Sequence, residues 1–514
     1  MKKLFTSVML LVGSLAATAT DYLGTLVVVI DGNVAQPTQT QITLDEQTDG
    51  KYGLTLKNFI LVQGDDAVPV GNIVLKNIVA ETTQDAMVLE TKQDIKLEEG
   101  DTEGVDFWLS TAMTDPIPVE LKAVVKDGAL SADIVVPIAN QDVKVVFDSR
   151  EFQLPNSGFE KFHTAKAGSA ESQEPNNWHS FMSCTGSLSS VVSGVPHTFV
   201  SEDVRPGSEG SRSVLVKSGK VLGLITANGT LTTGQLKAGG MSPTSTDNNA
   251  FLDLSNEARD ENGDPFYTVL NTLPDSIGVW VKFKQGQPVA EHQYATMSAV
   301  ITDGSYYQEP ADKDYSDVIV GKAECKTIAS TGEWQKIIVP FKYTDNKSPK
   351  GILVTFSTNA DAGEGTDEDE LYLDDVELIY SSYLTDLSVD GVTLPEFASD
   401  KYDYEYSFAE GPMPSADVLA GLMSYEVAHE AKSFVFVKNS TLSILVLSAD
   451  LQSNHTYTIK FTEGAAGVEN VIGNDNNTGK IIYNIGGQKV DSMKKDGIYV
   501  TKYANGKVVK SIKK

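Results

Sequence analysis

Cysteine is nearly absent: of 514 residues only Cys184 and Cys325 carry thiols. An oxidising compartment permits a bridge between them, and a pair of buried thiols is the alternative that the sequence leaves open. Positive charge is scarce too, with 41 Lys and Arg against 70 Asp and Glu and a formal net charge of −29. Phosphate backbones need clustered Lys and Arg, so nucleic acid is not an expected partner. The surplus carboxylates suit a solvated, exported chain and leave oxygens for divalent cations. Apolar runs long enough to cross a membrane are missing, and no long segment repeats apolar residues at three-to-four spacing. That argues for an all-β chain.

Catalytic signatures are missing as well. His429-Glu430 is followed by Ser433 where a zincin helix needs a second His, and the six histidines show no metal spacing. No Gly-x-Ser-x-Gly elbow, phosphate-binding glycine loop or Cys-x-x-Cys pair occurs. Carboxylates are too numerous to exclude a glycosidase pair. Asp374 and Asp375, however, are adjacent on an expected strand and should diverge to opposite faces, which does not suit two acids sharing one cleft.

What is present is a succession of short alternating segments. At this length three or four domains are expected. Two lysines, an apolar run through Leu15 and the small residues Ala17-Thr18-Ala19 read as a signal peptide over residues 1–19, with the mature chain starting at Thr20. No Cys stands near the cut to carry a lipid anchor. Residues 20–148 hold about eight strands separated by turns such as Asp31-Gly32 and Asp127-Gly128. They fit an up-and-down barrel that removes its edges by closing. Phe59, Phe107 and Trp108 either line a cavity there or simply fill it.

The segment 371–380, LYLDDVELIY, alternates except at Asp374-Asp375, where two neighbouring carboxylates call for a cation. Far upstream lies LPNSGFE at 154–160. If the first and last strands of one sandwich are neighbours, Glu160 and Asp375 share a Ca2+ ion, with Asp374 the second choice as ligand. The acidic loop 361–369 could add oxygens, although it lacks the order of an EF-hand.

Several of these stretches resemble known families. The pattern of 22–78 resembles the calycin-like barrel domain of exported bacterial proteins, whose members often hold an apolar ligand. NSGFE and LYLDDVEL, with PNNW at 175–178, IGVWVKFK at 277–284 and GEWQKIIVPF at 332–341, resemble the carbohydrate-metabolism domain of secreted bacterial proteins, a jelly roll of the carbohydrate-binding type spanning 149–380. That resemblance places Trp280 and Trp334 in the core. Residues 381–462 resemble small cadherin-like sandwiches, expected to act as a spacer or stalk. The linker at 463–467 opens a tail, 463–514, with nine lysines from Lys480 onward. It resembles the sorting domain of type IX secretion, which implies contact with secretion machinery and contact with a membrane only through sorting or attachment.

Sugar rings present apolar faces, so aromatics in polar, turn-rich surroundings are candidate glycan platforms. Trp178, Tyr306 and Tyr307 are chosen over His179, Phe181 and Tyr315, with packing beneath loops as the alternative role. The resulting expectation is a secreted or surface-displayed, non-catalytic protein that binds a glycan or polysaccharide and carries structural calcium. A glycan-active hydrolase using acids in the loops between Met241 and Asp317 is the first alternative. A structural or adhesive surface protein without a sugar site is the second.

Overall fold

A computed structural model describes residues 19–47, 50–63, 66–83, 85–113, 115–138, 141–344, 347–408, 413–463, 480–484, 488–494, 497–503 and 508–513. The expected leader and most of the expected linker lie outside these residues. Two compact units are present: Met1–Tyr406 with Pro414–Phe461, and Ser407–Met413 with Thr462–Lys514. The architecture is all-β, as the alternating pattern requires.

Strands Ala19–Ile30, Thr38–Glu46, Lys51–Gln63, Asp66–Thr82, Ala86–Ile95, Ile117–Lys126, Ala129–Ile138 and Gln141–Asp148 pair in sequence order, all antiparallel. The first strand closes the barrel by dividing its length. Residues 19–26 pair with Thr38–Glu46, and residues 25–30 pair with Gln141–Asp148. Closure leaves no free edge. Alternation along the first strand then decides what is inside. Leu26, Val28 and Ile30 join the barrel interior with Phe59, while Val27 and Val29 point outward. Trp108 is buried, its ring lying where a Cβ on Gly100 would fall, at 2.4 Å. Phe107 is 56% exposed and so lines no interior cavity.

Residues 152–380 build a β-sandwich. One layer has five strands in the order Thr198–Ser201, Ser213–Lys217, Glu370–Ile379, Ser276–Lys284, Gln335–Pro340. The other layer runs Thr230–Thr232, Gly351–Ser357, Tyr294–Thr302, Ile319–Ala329, Lys342–Tyr343. Its remaining strand, Thr268–Val269, pairs with Gly351–Ser357. Val279, Val281 and Phe283 from the first layer meet Met297, Ala299 and Phe356 from the second in one core. A three-stranded sheet, Gln235–Ala238, Asn248–Leu252 and Tyr307–Glu309, covers part of the second layer's outer face over Val300 and Leu353.

The Asp374-Asp375 interruption is a β-bulge. Trp280 pairs with Asp374 and Gly278 with Glu377, so the strand Glu370–Ile379 carries one extra residue, and Asp375 takes φ 43°. The insertion sets the register. Leu371 and Leu373 before it, and Val376, Leu378 and Tyr380 after it, all face the core. Without the extra residue the second set would face the other way.

A smaller sandwich follows, with sheets Val392–Thr393, Leu384–Val389, Met423–Val427 and Asp403–Ser407, Asn454–Thr462, Thr441–Leu447, Lys432–Lys438. It is no spacer. Its Leu445, Leu447 and Leu451 pack on the outward Val27, Val29 and Val146 of the barrel, and Ala449 joins the central core. The second unit holds a sheet ordered Lys489–Val490, Lys480–Asn484, Gly497–Tyr503, Val508–Lys513.

One cation ties the first unit together. Arg150 donates from Nε and Nη2 to Asp148, at 3.1 and 2.9 Å, and from Nη1 to Glu430 at 3.0 Å. Glu430 also accepts the Leu273 N–H at 3.1 Å, so barrel, central sandwich and smaller sandwich meet at this point. Burial opposes the Arg150 charge, but its bonds to Asp148 and Glu430 hold its pKa above the ordinary value. Arg150→Leu leaves the Asp148 carboxylate, 1% exposed, without its charged partner and with only the backbone N–H of residue 150. The expected loss is about 3–5 kcal/mol in urea unfolding, and an unchanged midpoint would contradict this account.

Candidate functional site

The two segments expected to meet do so. Gln153 donates to the Leu378 carbonyl at 2.7 Å and accepts the Leu378 N–H at 2.9 Å, and Val376 N donates to the Ser157 carbonyl at 2.9 Å. Their carboxylates, however, bind different partners. Glu160 accepts the backbone N–H groups of Ser211 and Arg212, each at 3.1 Å. Asp375 accepts the Arg205 Nε–H. Asp374 Oδ2 accepts the Arg205 backbone N–H at 3.0 Å, leaving Oδ1 buried and unpartnered. Glu160 and Asp375 thus turn to separate protein donors, Ser211 with Arg212 and Arg205, rather than to one shared point. The acidic loop is likewise engaged. Asp369 accepts from Gly286 N at 2.9 Å and from Thr366 Oγ1 at 2.7 Å, organising its own turn.

Burial pushes the Asp374 pKa up to about 6 from an ordinary 3.8. Between those values the folded chain keeps a proton that the unfolded chain releases, so stability falls as pH rises through this window. Asp374→Asn should flatten that slope and raise stability at pH 7 by about 2 kcal/mol. An unchanged slope from pH 4 to 6.5 in thermal melts would show that Asp374 titrates normally.

The expected aromatic platform is dispersed. Trp178 is fully buried between Phe159 and Phe356, at 5.2 and 6.2 Å, and its Nε1–H donates to the Pro155 carbonyl. It offers no face to a sugar. Tyr306 and Tyr307 are neighbours whose rings both lie against Tyr315, at 6.4 and 5.2 Å, but they differ in depth. Tyr307 is buried with its hydroxyl on Glu309 at 2.8 Å, whereas Tyr306 is 38% exposed and stacks on Phe251. Trp280 and Trp334, expected in the core, are half-buried on the outer face of the five-stranded layer. Trp280 falls there because Val279 and Val281 take the inward phase. Both indoles already serve local cations, Arg205 over Trp280 at 5.6 Å and Lys282 over Trp334 at 5.3 Å. Cys184 and Cys325 are free thiols, and burial pushes Cys184 up to about 12.

A cleft of about 720 Å3 opens on the outer face of the second layer, beside the three-stranded cover. Its floor follows from strand alternation. Ala295, Met297 and Ala299 face the core, so Thr296 and Ser298 face the cleft; Ala323 faces the core, so Lys322 and Glu324 face out. Val191, Ile225 and Met241 contribute apolar wall. Two polar atoms here lack any hydrogen-bond partner, Ser298 Oγ and Asn249 Oδ1, and Asn249 is 94% buried. Lys322 Nζ donates to Glu309 at 2.8 Å and pairs with Glu324 at 3.3 Å. Burial opposes its charge, and the two glutamates outweigh that, raising its pKa. These residues escape sequence reading because they come from separate strands and loops. The signal that was available is the polar alternate phase of 296–298 and 322–326.

Residues 18–149 match the family model of the Calycin-like beta-barrel domain, the same stretch that forms the closed barrel. Among solved structures, a candidate glycoside hydrolase from Bacteroides thetaiotaomicron aligns at 15% identity and TM-score 0.30, covering 52% of this chain and 87% of that one. A candidate outer membrane protein from Bacteroides fragilis aligns at 12% identity and TM-score 0.18, covering 66% and 96%. Likenesses at these scores assign no function. Among curated proteins nothing matches.

Proposed function

We propose that this is an exported, non-catalytic carbohydrate-binding protein whose oligosaccharide ligand lies in the cleft on the outer face of the second layer. The observation that carries the reading is Asn249 Oδ1, a buried acceptor without a partner at the edge of a 720 Å3 cleft. A buried polar atom left unpaired costs on the order of 1–3 kcal/mol, which a ligand hydroxyl would recover. Thr296, Ser298 and Glu324 supply further hydroxyl partners, and the apolar wall suits the C–H faces of a sugar. Glu309 and Glu324 share one lysine, so neither stands free for the paired acid chemistry of a glycosidase. The resemblance of 149–380 to carbohydrate-binding jelly rolls supports the same ligand class. The leader at 1–19 and the tail at 463–514 support export and delivery through secretion machinery to the outside of the cell.

Full-length protein screened on a polysaccharide panel should bind without releasing reducing ends. Glu324→Ala removes a charged partner on the exposed floor and should weaken binding about tenfold or more. Tyr306→Ala, outside the cleft lining, should bind as wild type. Hydrolysis of a bound glycan, or undiminished affinity in Glu324→Ala, would overturn the assignment.

A further inference from the structure

Four buried side chains converge at the margin of the central sandwich. His163 lies on the strand Phe162–Ala167 and Glu174 on its hairpin partner Ala170–Pro175. His179 follows in the segment that bridges to Thr232, and Asp260 comes from a loop some 80 residues further on, closed by the bridge Arg259–Pro265. Their side chains are 0–8% exposed.

Each of the four has one polar atom held and one left bare. His179 Nε2 donates to the Pro265 carbonyl at 3.1 Å, and His163 Nδ1 faces Asn176 Oδ1 at 3.3 Å. Those partners are acceptors, so they select the tautomers in which His179 Nδ1 and His163 Nε2 carry lone pairs. Glu174 Oε1 accepts from Ser180 N at 2.7 Å and from the Ser180 and Ser183 hydroxyls. Asp260 Oδ1 accepts from Asn262 N and Asp264 N, at 2.9 and 2.8 Å. The remaining atoms, His163 Nε2, His179 Nδ1, Glu174 Oε2 and Asp260 Oδ2, are all buried and all without a hydrogen-bond partner.

Three separations link these bare atoms in a chain, Glu174 to His163 to Asp260 to His179. His163 Nε2 stands 3.4 Å from Asp260 Oδ2 and 3.9 Å from Glu174 Oε2, and His179 Nδ1 stands 3.7 Å from Asp260 Oδ2. Lone-pair donors in a closed interior repel unless a proton or a metal cation lies between them. Bonds of about 2.0–2.2 Å from a tetrahedral zinc ion to nitrogen and oxygen place neighbouring ligands about 3.3–3.6 Å apart. Three of the separations, 3.4, 3.7 and 3.9 Å, lie at or just above that spacing, and an ion would draw the two ends of this chain of donors inward. Two neutral imidazoles and two carboxylates also balance a divalent charge. The held atoms form the outer hydrogen bonds that fix metal-binding imidazoles and carboxylates elsewhere.

We propose that His163, Glu174, His179 and Asp260 bind one divalent transition metal of the zinc class. The ion staples the 162–175 hairpin and the 176–183 segment to the 253–265 loop. The site is closed on all sides by protein, so its role is structural. Asp264 belongs to it as a neighbour. Its donors lie within 4.8 Å of those of His163 and Asp260, but its Oδ2 accepts from Asn177 N and Asn262 Nδ2, each at 2.9 Å.

Full-length protein without a histidine tag, purified with no added metal, should contain about one equivalent of a zinc-class metal by elemental analysis. After stripping with a strong chelator and dialysis, zinc alone should raise Tm by about 8 °C or more, with calcium ineffective. Cobalt(II) in place of zinc should give the intense visible absorption of four-coordinate geometry. His163→Ala and Asp260→Asn should bind cobalt at least a hundredfold more weakly, while His292→Ala, at an exposed histidine elsewhere, should bind as wild type. If either cluster variant fails to fold, the cobalt spectrum and zinc response of the wild-type chain decide. Stripped protein whose melting is indifferent to zinc and which gives no cobalt spectrum would overturn the site. So would a response to calcium alone, or full metal retention in folded His163→Ala.

Discussion

The central sandwich depends on how the strand Glu370–Ile379 is held along both edges. Its first half pairs with Ser213–Lys217, but that partner reaches only as far as Leu373. Beyond the bulge the edge is taken over by the incoming chain, through the Gln153 amide on both backbone groups of Leu378 and through the Ser157 carbonyl on Val376 N. Backbone groups in a buried strand must be paired, so a side-chain amide that imitates a strand completes the ladder. The start of the sandwich is thereby fixed to its end. The bulge lets this happen without turning Val376, Leu378 and Tyr380 away from the core.

Much of this was legible from residues alone. Short apolar-rich segments between turns marked the eight barrel strands, and the likeness of 22–78 to calycin-like barrels agrees with the family match over 18–149. The meeting of 154–160 with 371–380 was also foreseeable. What the alternation rule could not supply was the response of the chain to Asp374-Asp375. Reading them as ligands assumed that two adjacent carboxylates require a metal. The fold instead inserts one as a bulge residue, delivers it to Arg205, and accepts a raised pKa on the other. Trp178 was misplaced for a related reason. A turn-rich, polar neighbourhood in sequence says little about depth when the turn itself is folded inward, and PNNW folds beneath Phe159.

The polar residues with chemistry to offer were hidden by distance along the chain. Histidines 16 positions apart show no metal spacing, yet a hairpin and one further loop bring their bare nitrogens to the same place as two carboxylates. The cleft shows the same effect, with Asn249 drawn from the three-stranded cover and Ser298, Lys322 and Glu324 from two strands of the second layer. In both places the informative sign is a buried polar atom without a partner, a property that exists only once the chain is folded.

The valine stripe on the barrel has a consequence for dissection of the molecule. Val27, Val29 and Val146 are dry because Leu445, Leu447 and Leu451 cover them, although some 300 residues separate the two stripes. A fragment ending near Asp148 would keep every rung of its closed sheet yet expose a bare aliphatic band to water. Such a piece would tend to self-associate, so a barrel excised at its family boundary is a poor stand-in for the barrel inside the whole chain.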